Sequence, residues 1–338
     1  MVKKLIVYHT REDEKPFVDQ WAKKNHVQVD TVPFELHYKT VNFAQGYDGV
    51  IFKQRGSLSS KENIYKKLHD FGIKQLSCRS AGIDSINLKW ANKYHLTITN
   101  VPSYSPRAVA ELVLEQAMQL VRHFPEFKKR VEENNYIVDD LRSRELSELT
   151  IGIIGVGRIG STVAKIFHLL GAKVLGNDLK ENPKLKGILK YTSKEKLLKN
   201  SDIVTIHVYY STNNFHLIDR KKLGLLKPSA FFINDSRGPI LDTKALIQKL
   251  KNRQIAGAAL DVVEGEVGLF NKSFSGDIPN TNYKKLKSFQ NVLLTPHIGF
   301  FTDHAVKNMV NEALDDALAI LNGQHSKHEI NLAKVLSK

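Results

Sequence analysis

The chain has 338 residues, 42% of them hydrophobic and 25% charged, which is the composition of a soluble globular protein with apolar material for two cores. No run of 18 apolar residues occurs, and the apolar stretch within MVKKLIVYHT is too short for a signal peptide, so neither a membrane span nor export is expected and the protein is placed in the cytoplasm. The formal charge is +15, but 38 of the 50 basic residues are lysines scattered through helix-like segments, which speaks against nucleic acid and for solubility and the attraction of small anions.

Alternation of strands and helices begins at once. Strands are predicted at 4–9, 27–32, 49–52, 74–79 and 96–101, with helices at 14–24, 62–71 and 88–94 between them. The single cysteine, Cys78, falls in one of these apolar strands and reads as packing; alone it excludes an internal disulfide framework. Ser105 followed by Pro106 fits a helix cap with proline at the first helical position, opening a long amphipathic helix over 108–124. From Leu149 a second alternating series starts, with later strands predicted at 173–177, 203–208, 230–234, 255–260 and 292–295. A last helix over 302–322 carries the chain back to the first series. The expected fold class is therefore α/β, with two doubly wound parallel-sheet domains, the second inserted into the first. Ligands in such folds sit at the carboxyl ends of the strands, here in a cleft between two sheets.

The stretch TIGIIGVGRIGSTVAKIFHLLGAKVLGND (Thr150 to Asp178) is the most informative in the chain. Gly155, Gly157 and Gly160 lie between an apolar strand and a helix, and Asp178 follows Gly160 by 18 residues at the end of the next strand. That is the arrangement a dinucleotide needs: a tight turn, a close backbone approach to the pyrophosphate, and close helix–strand packing. The helix N-terminus offers unpaired amides to the phosphates. Asp178 would accept from the adenosine ribose hydroxyls and repel a 2′-phosphate, so the cofactor expected is NAD.

Three further segments fall at predicted strand ends: NDSRGPILDT, ALDVVEGEVG and TPHIGFFT. They bring Arg237, an acid that is either Glu264 or Glu266, and His297. Hydride exchange between a nicotinamide and a 2-hydroxy acid calls for these types. A histidine can cycle a proton at neutral pH, a carboxylate can orient its imidazole, and a guanidinium can fork onto a carboxylate. His297 and His304 lack the spacing and third ligand of a zinc site, and His325 and His328 stand in the tail, so no metal is expected.

REDEKP, RSAGIDSIN, TNVPSYSPRAVAE, GIIGVGRIG, NDSRGPILDT, LDVVEGEVGLF and TPHIGFFTDHAV are spread over nearly the whole chain, from Arg11 to Val306. In number and order they resemble the D-specific 2-hydroxyacid dehydrogenases, and most of all their D-lactate dehydrogenase branch. The resemblance implies a flavodoxin-like substrate domain (1–103 and 299–338) and a Rossmann NAD-binding domain (104–298). It implies that Arg237 orients substrate, that His297 is the acid/base, and that Glu266 rather than Glu264 is its partner. Backbone around Ala81 and Gly82 would hold the substrate carboxylate, with Tyr104 and Phe300 lining the pocket and Phe52 nearby. On the cofactor side Gly155, Gly157, Arg158, Ile159, Gly160 and Asp178 would be joined by Val208, Tyr209 and Asn214. Asp235, Ser236 and Asp261 would lie near the nicotinamide ribose and amide. The implied partners are a small 2-ketoacid or 2-hydroxyacid and a second copy of the chain in a homodimer.

Three positions depart from the family pattern. Tyr209 replaces a usual proline, Val263 a common aromatic, and Gly299 a more usual alanine, which is expected to enlarge the pocket beside Phe300. The resemblance implies interconversion of pyruvate and D-lactate. Two alternatives remain: a D-2-hydroxyisocaproate-type enzyme for bulkier 2-ketoacids, or an NAD(H)-sensing binding protein, against which the short, featureless ends argue. A phosphoglycerate dehydrogenase with an added regulatory domain is not expected from a chain of this length.

Overall fold

The structure, a computed structural model, describes residues 2–54, 58 and 62–333. It divides into two compact units, Met1–Ser105 with Phe301–Lys338, and Pro106–Phe300. The first unit starts with β1 (Lys4–Tyr8), α1 (Lys15–Asn25), β2 (Gln28–Val32), β3 (Gly49–Phe52), α2 (Glu62–Asp70), β4 (Gln75–Cys78), α3 (Leu88–Lys93) and β5 (Thr97–Asn100). The strands form one sheet in the order β2-β1-β3-β4-β5, every pair parallel. This 2-1-3-4-5 order is the flavodoxin-like one. Helices cover both faces, so β3 and β4 are buried at every position; β3 reads as an unbroken apolar run, while β4 buries Gln75 and Ser77 beside Leu76 and Cys78. Ile6, Tyr8 and Phe52 pack with Ile64, Tyr65 and Leu68 of α2 on one face.

The second unit contains α4 (Pro106–Val121), α5 (Phe124–Glu132), β6 (Thr150–Ile154), α6 (Arg158–Leu169), β7 (Lys173–Asn177), β8 (Lys190–Tyr191), α7 (Lys194–Asn200) and β9 (Ile203–Ile206). It continues through α8 (Arg220–Leu223), β10 (Phe231–Asn234), α9 (Thr243–Lys251), β11 (Gly257–Leu260), α10 (Thr281–Lys287) and β12 (Val292–Leu294). Its sheet runs β12-β11-β10-β9-β6-β7-β8, again with every pair parallel. The order reverses between β6 and β9, which is where a doubly wound sheet opens a crevice at its carboxyl edge. Ala110, Val113, Ala117 and Leu120 of α4 pack with Val163, Ala164 and Phe167 of α6 and with Ile151 and Ile153 of β6.

The helix predicted over 108–124 differs in the structure. It ends at Val121, His123 turns left-handed at φ 51°, and α5 starts at Phe124. Pro125 is the cause, because inside a continuous helix it would remove a hydrogen bond and clash with the preceding turn. Strand β8, two residues long, gives no period to read.

The chain re-enters the first unit as α11 (Asp303–Leu321), begun by Thr302, whose side chain accepts from the Ala305 amide. Val310, Ala313, Leu314 and Ala317 of α11 close the second face of the five-stranded sheet with Leu5, Val7 and Ile51, and with Val18 and Trp21 of α1. Trp21 Nε1 also donates to Asp315 Oδ1 at 2.7 Å. A charged pair lies within this unit: Arg79 and Glu14 are both fully buried, 2.7 Å apart. The Arg79 guanidinium also donates to the carbonyls of Tyr8 (2.9 Å) and His9 (3.0 Å) at the end of β1. Burial by itself would raise the Glu14 carboxyl, but the Arg79, Lys53 and Arg11 charges outweigh it and hold it down at about 2.

Candidate functional site

The glycine turn joins β6 to α6 at the point where strand order reverses. Gly155 has φ +88°, and a Cβ there would stand 2.5 Å from the His207 carbonyl oxygen past β9. At Gly160 a Cβ would strike the Gly155 carbonyl, so this glycine lets helix and strand close on each other. Gly157 is different: a Cβ there would meet nothing within 4 Å, so the space over it is open. It caps α6 without a side-chain hydrogen bond, and the first amides of any helix have no partner within the helix. Arg158 and Ile159 occupy that first turn, Arg158 exposed and Ile159 half-buried.

Asp178, just past β7, accepts the Val156 amide at 2.6 Å through Oδ2, which places its carboxylate beside the turn. Val208 and Tyr209 follow β9. The Asn214 side chain donates to the Tyr209 carbonyl and accepts the Ser211 amide at 2.8 Å, holding that turn, while Tyr209 is 68% exposed. Open space above a helix N-terminus, together with a carboxylate at the next strand end, fits the pyrophosphate and ribose of NAD.

The reactive groups lie past β10, β11 and β12. His297, at φ 58° in the left-handed region, puts Nδ1 3.0 Å from Glu266 Oε1. The other Glu266 oxygen accepts the Val263 amide at 2.6 Å, so both oxygens are engaged and the carboxylate is fixed. Glu264 points elsewhere: its Oε1 meets His216 Nε2 at 3.1 Å. Phe270 and Phe300 stand edge-on to the His297 ring, at 6.3 and 6.4 Å between centroids. An ionised Glu266 accepts from Nδ1–H, which leaves Nε2 as the nitrogen that can exchange a proton with a ligand.

Arg237 follows β10 and donates to the Ser236 carbonyl at 2.8 Å. Its turn is set by Asn234, which accepts the Ser236 amide and donates to the Arg237 carbonyl, both at 3.1 Å. Gly238 brings this turn against the acidic loop, since a Cβ there would stand 2.3 Å from the Val263 carbonyl carbon.

Asp261 is buried and accepts three hydrogen bonds from the His297 segment: Thr295 Oγ1 at 2.6 Å, and the Ile298 and Gly299 amides at 2.8 Å each. Its visible task is thus to hold that segment, a role that sequence reasoning missed because the partners lie more than thirty residues ahead. Ser236 Oγ is likewise spent on the Val208 carbonyl. Burial, and then the Asp261 charge, push the Asp235 carboxyl well above the usual carboxylate range. At Gly299 a Cβ would meet Asp261 Oδ2 at 3.2 Å and the Leu112 and Val109 side chains of α4 at 3.6 Å, so the absent methyl lets the His297 segment close on Asp261 and α4.

In the first unit, Ala81 and Gly82 follow β4. Asn100 Nδ2 donates to the Ala81 carbonyl at 2.6 Å, and Ser80 Oγ to the Gly82 carbonyl at 2.7 Å. Tyr104 is half-buried, with its carbonyl accepting from Asn308 of α11 at 2.7 Å. Phe52, the last residue of β3, is wholly buried in a core cluster with Ile64, Tyr65 and Leu68 of α2. Cys78 is buried, and burial pushes its thiol up to about 11, as packing requires.

Residues 114–299 match the family model described as D-isomer specific 2-hydroxyacid dehydrogenase, NAD binding domain. The chain is 38% identical over 330 residues to a D-lactate/D-glycerate dehydrogenase of Pediococcus acidilactici, covering 97% of this chain and 99% of that protein. Among solved structures it resembles a D-lactate dehydrogenase from Sporolactobacillus sp., with 46% identity, a TM-score of 0.83, and coverage of 97% of this chain and 99% of the other. The NAD-complexed D-isomer specific 2-hydroxyacid dehydrogenase of Lactobacillus delbrueckii ssp. bulgaricus is 39% identical, with a TM-score of 0.86 and coverage of 97% and 100%. No helix among the described residues is long and apolar enough to cross a membrane. With a Rossmann unit inserted into a flavodoxin-like one, the chain belongs to the D-isomer specific 2-hydroxyacid dehydrogenases and is an NAD-dependent enzyme.

Proposed function

We propose that this enzyme is a D-lactate dehydrogenase, in which pyruvate, NADH and a proton give D-lactate and NAD reversibly. The observation that carries the reading is the 3.0 Å contact of His297 Nδ1 with Glu266 Oε1, past the strand ends of the NAD-binding unit. When bound, NADH supplies a hydride to C2 of the ketoacid. The chain must then hold the substrate carboxylate, protonate the carbonyl oxygen, and keep the cofactor in place.

Arg237 forks onto the substrate carboxylate and polarises the carbonyl, and backbone around Ala81 and Gly82 also holds the carboxylate. His297, charged and oriented by Glu266, delivers its Nε2 proton to the carbonyl oxygen and takes it back in the reverse direction. Tyr104 and Phe300 limit the room for the side chain at C3. Gly155, Gly157, Gly160 and the first turn of α6 with Arg158 and Ile159 receive the pyrophosphate, and Asp178 the adenosine ribose. Val208, Tyr209 and Asn214 line the adenine side. Asp235, Ser236 and Asp261 stand on the nicotinamide side, Asp261 acting through the His297 segment. The unit containing residues 1–105 and 301–338 is the substrate domain.

A homodimer is part of this reading. It is supported by the exposed apolar residues along α5 and the segment after it: Phe124, Val131, Tyr136, Ile137 and Val138 are each more than half exposed. Sedimentation velocity of the purified chain tests it. We place the reaction in the cytoplasm because the single thiol is a packing residue.

The test of function is NADH oxidation with 2-ketoacids from pyruvate to 2-ketoisocaproate, for the wild type, His297→Ala and Arg237→Ala. Pyruvate should be turned over best, and either variant should lose about 10²–10⁴-fold in kcat/KM while still binding NADH. Turnover near wild type in either variant refutes the assignment of roles. No turnover with any ketoacid refutes the enzyme reading, and a preference for 2-ketoisocaproate assigns the bulkier substrate.

A further inference from the structure

We propose that Asn100 is a positioning residue for the substrate carboxylate, because its hydrogen bond to the Ala81 carbonyl sets the direction of the Gly82 amide. The proposal rests on the reading of the Ala81–Gly82 backbone as the carboxylate site.

Asn100 is the last residue of β5 and lies in register with Cys78, the last residue of β4. Its side chain is therefore placed to reach across the turn that leaves β4, and the residue is only 8% exposed. Nδ2 donates to the Ala81 carbonyl at 2.6 Å. In a trans peptide the C=O of one residue and the N–H of the next point in opposite directions. Drawing the Ala81 oxygen toward β5 therefore turns the Gly82 N–H away from it.

The same logic repeats one peptide later, where Ser80 Oγ holds the Gly82 carbonyl at 2.7 Å and so turns the Ile83 N–H. Among the described residues neither of these two amides donates to a protein acceptor. The base of the turn is rigid. Arg79 is locked to Glu14 and to the β1 carbonyls, and the Val101 amide donates to the Ser80 carbonyl at 2.9 Å. Two preset amides match the two oxygens of a carboxylate, and a preset donor loses less freedom on binding than one that must first be ordered. An asparagine is suited to this because its amide donates at any pH, whereas an aspartate at the same place would repel the carbonyl it faces.

The test uses the full chain with Asn100→Ala, Asn100→Asp and Ser80→Ala. The readouts are KM and kcat for pyruvate, competitive inhibition by oxamate, NADH affinity by fluorescence titration, and the thermal midpoint. Loss of a preset bond to a charged ligand group should raise KM and the oxamate inhibition constant together, by roughly 10–100-fold. Saturating kcat and NADH affinity should stay within about threefold, because the bond acts on ground-state and transition-state binding alike. Unchanged KM and oxamate inhibition in both Asn100 variants overturn the proposal. So does a loss confined to kcat or to NADH affinity, since that marks general damage. If the Asn100 variants do not fold, Ser80→Ala decides alone: an unchanged KM refutes preset amides. Failure of the underlying reading would show separately, as a wild type that turns over no 2-ketoacid.

Discussion

Replacing Glu14 by glutamine removes the carboxylate that neutralises fully buried Arg79 and leaves the guanidinium without its counter-charge. The cost can be worked in two ways. Breaking a buried ion pair from one side costs about 3–5 kcal/mol, most of it the penalty of a stranded charge. Independently, a carboxyl held at about 2 in place of its ordinary 4.5 stabilises the ionised fold by roughly 3 kcal/mol at neutral pH. The two figures agree, so Glu14→Gln should lose about 3 kcal/mol.

The sign of the pH dependence follows from the lowered value. The stabilisation is fully present above the unfolded carboxyl's 4.5 and is lost as pH falls toward 2, so the wild type should weaken over that window by an amount the variant lacks. Both tryptophans, Trp21 and Trp90, lie in the first unit, so urea denaturation followed by their fluorescence reports on that unit alone. A variant within about 1 kcal/mol of wild type at pH 7 would refute the reasoning. The double substitution Glu14→Leu with Arg79→Met should recover much of the loss, because no stranded charge remains.

Three further outcomes follow from the second unit. Gly157→Ala should keep the wild-type thermal midpoint and lose NADH affinity, since its Cβ meets no protein atom, whereas Gly155→Ala should unfold earlier because of its φ of +88° and the His207 carbonyl; equal midpoints would contradict this. Asp178→Ser should raise the NADPH-to-NADH ratio of kcat/KM at least about tenfold by removing the charge facing a 2′-phosphate, and an unchanged ratio would move that role elsewhere. Asp261→Asn turns one acceptor into a donor against the Thr295, Ile298 and Gly299 groups, so it should cost about 2–3 kcal/mol and lower kcat by releasing the His297 segment; a variant as stable and as fast as wild type would contradict it.

Much of the architecture was legible in the sequence. A buried parallel strand such as β3 is an unbroken apolar run, helices repeat at 3.6, and glycines mark turns that no side chain fits, as at Gly155 and Gly160. Those are local rules, so they set fold class, the nucleotide turn and the inserted order of units from residues near one another. Where a local rule was weak the reading slipped, as with the two residues of β8 and the helix that stops before Pro125.

The tertiary structure decided which side chains meet. Glu264 and Glu266 look alike in the sequence, but with Gly265 left-handed between them one faces His216, 48 residues away, and the other His297, 31 residues away. Residue spacing alone left Glu264 and Glu266 open. Asp261 holding the His297 segment, Asn100 reaching over the turn after β4, and Phe52 buried beside α2 were likewise invisible. Periodicity records which face of one element is buried. Partner choice depends on distances between elements remote in sequence, and those exist only once the sheets have formed.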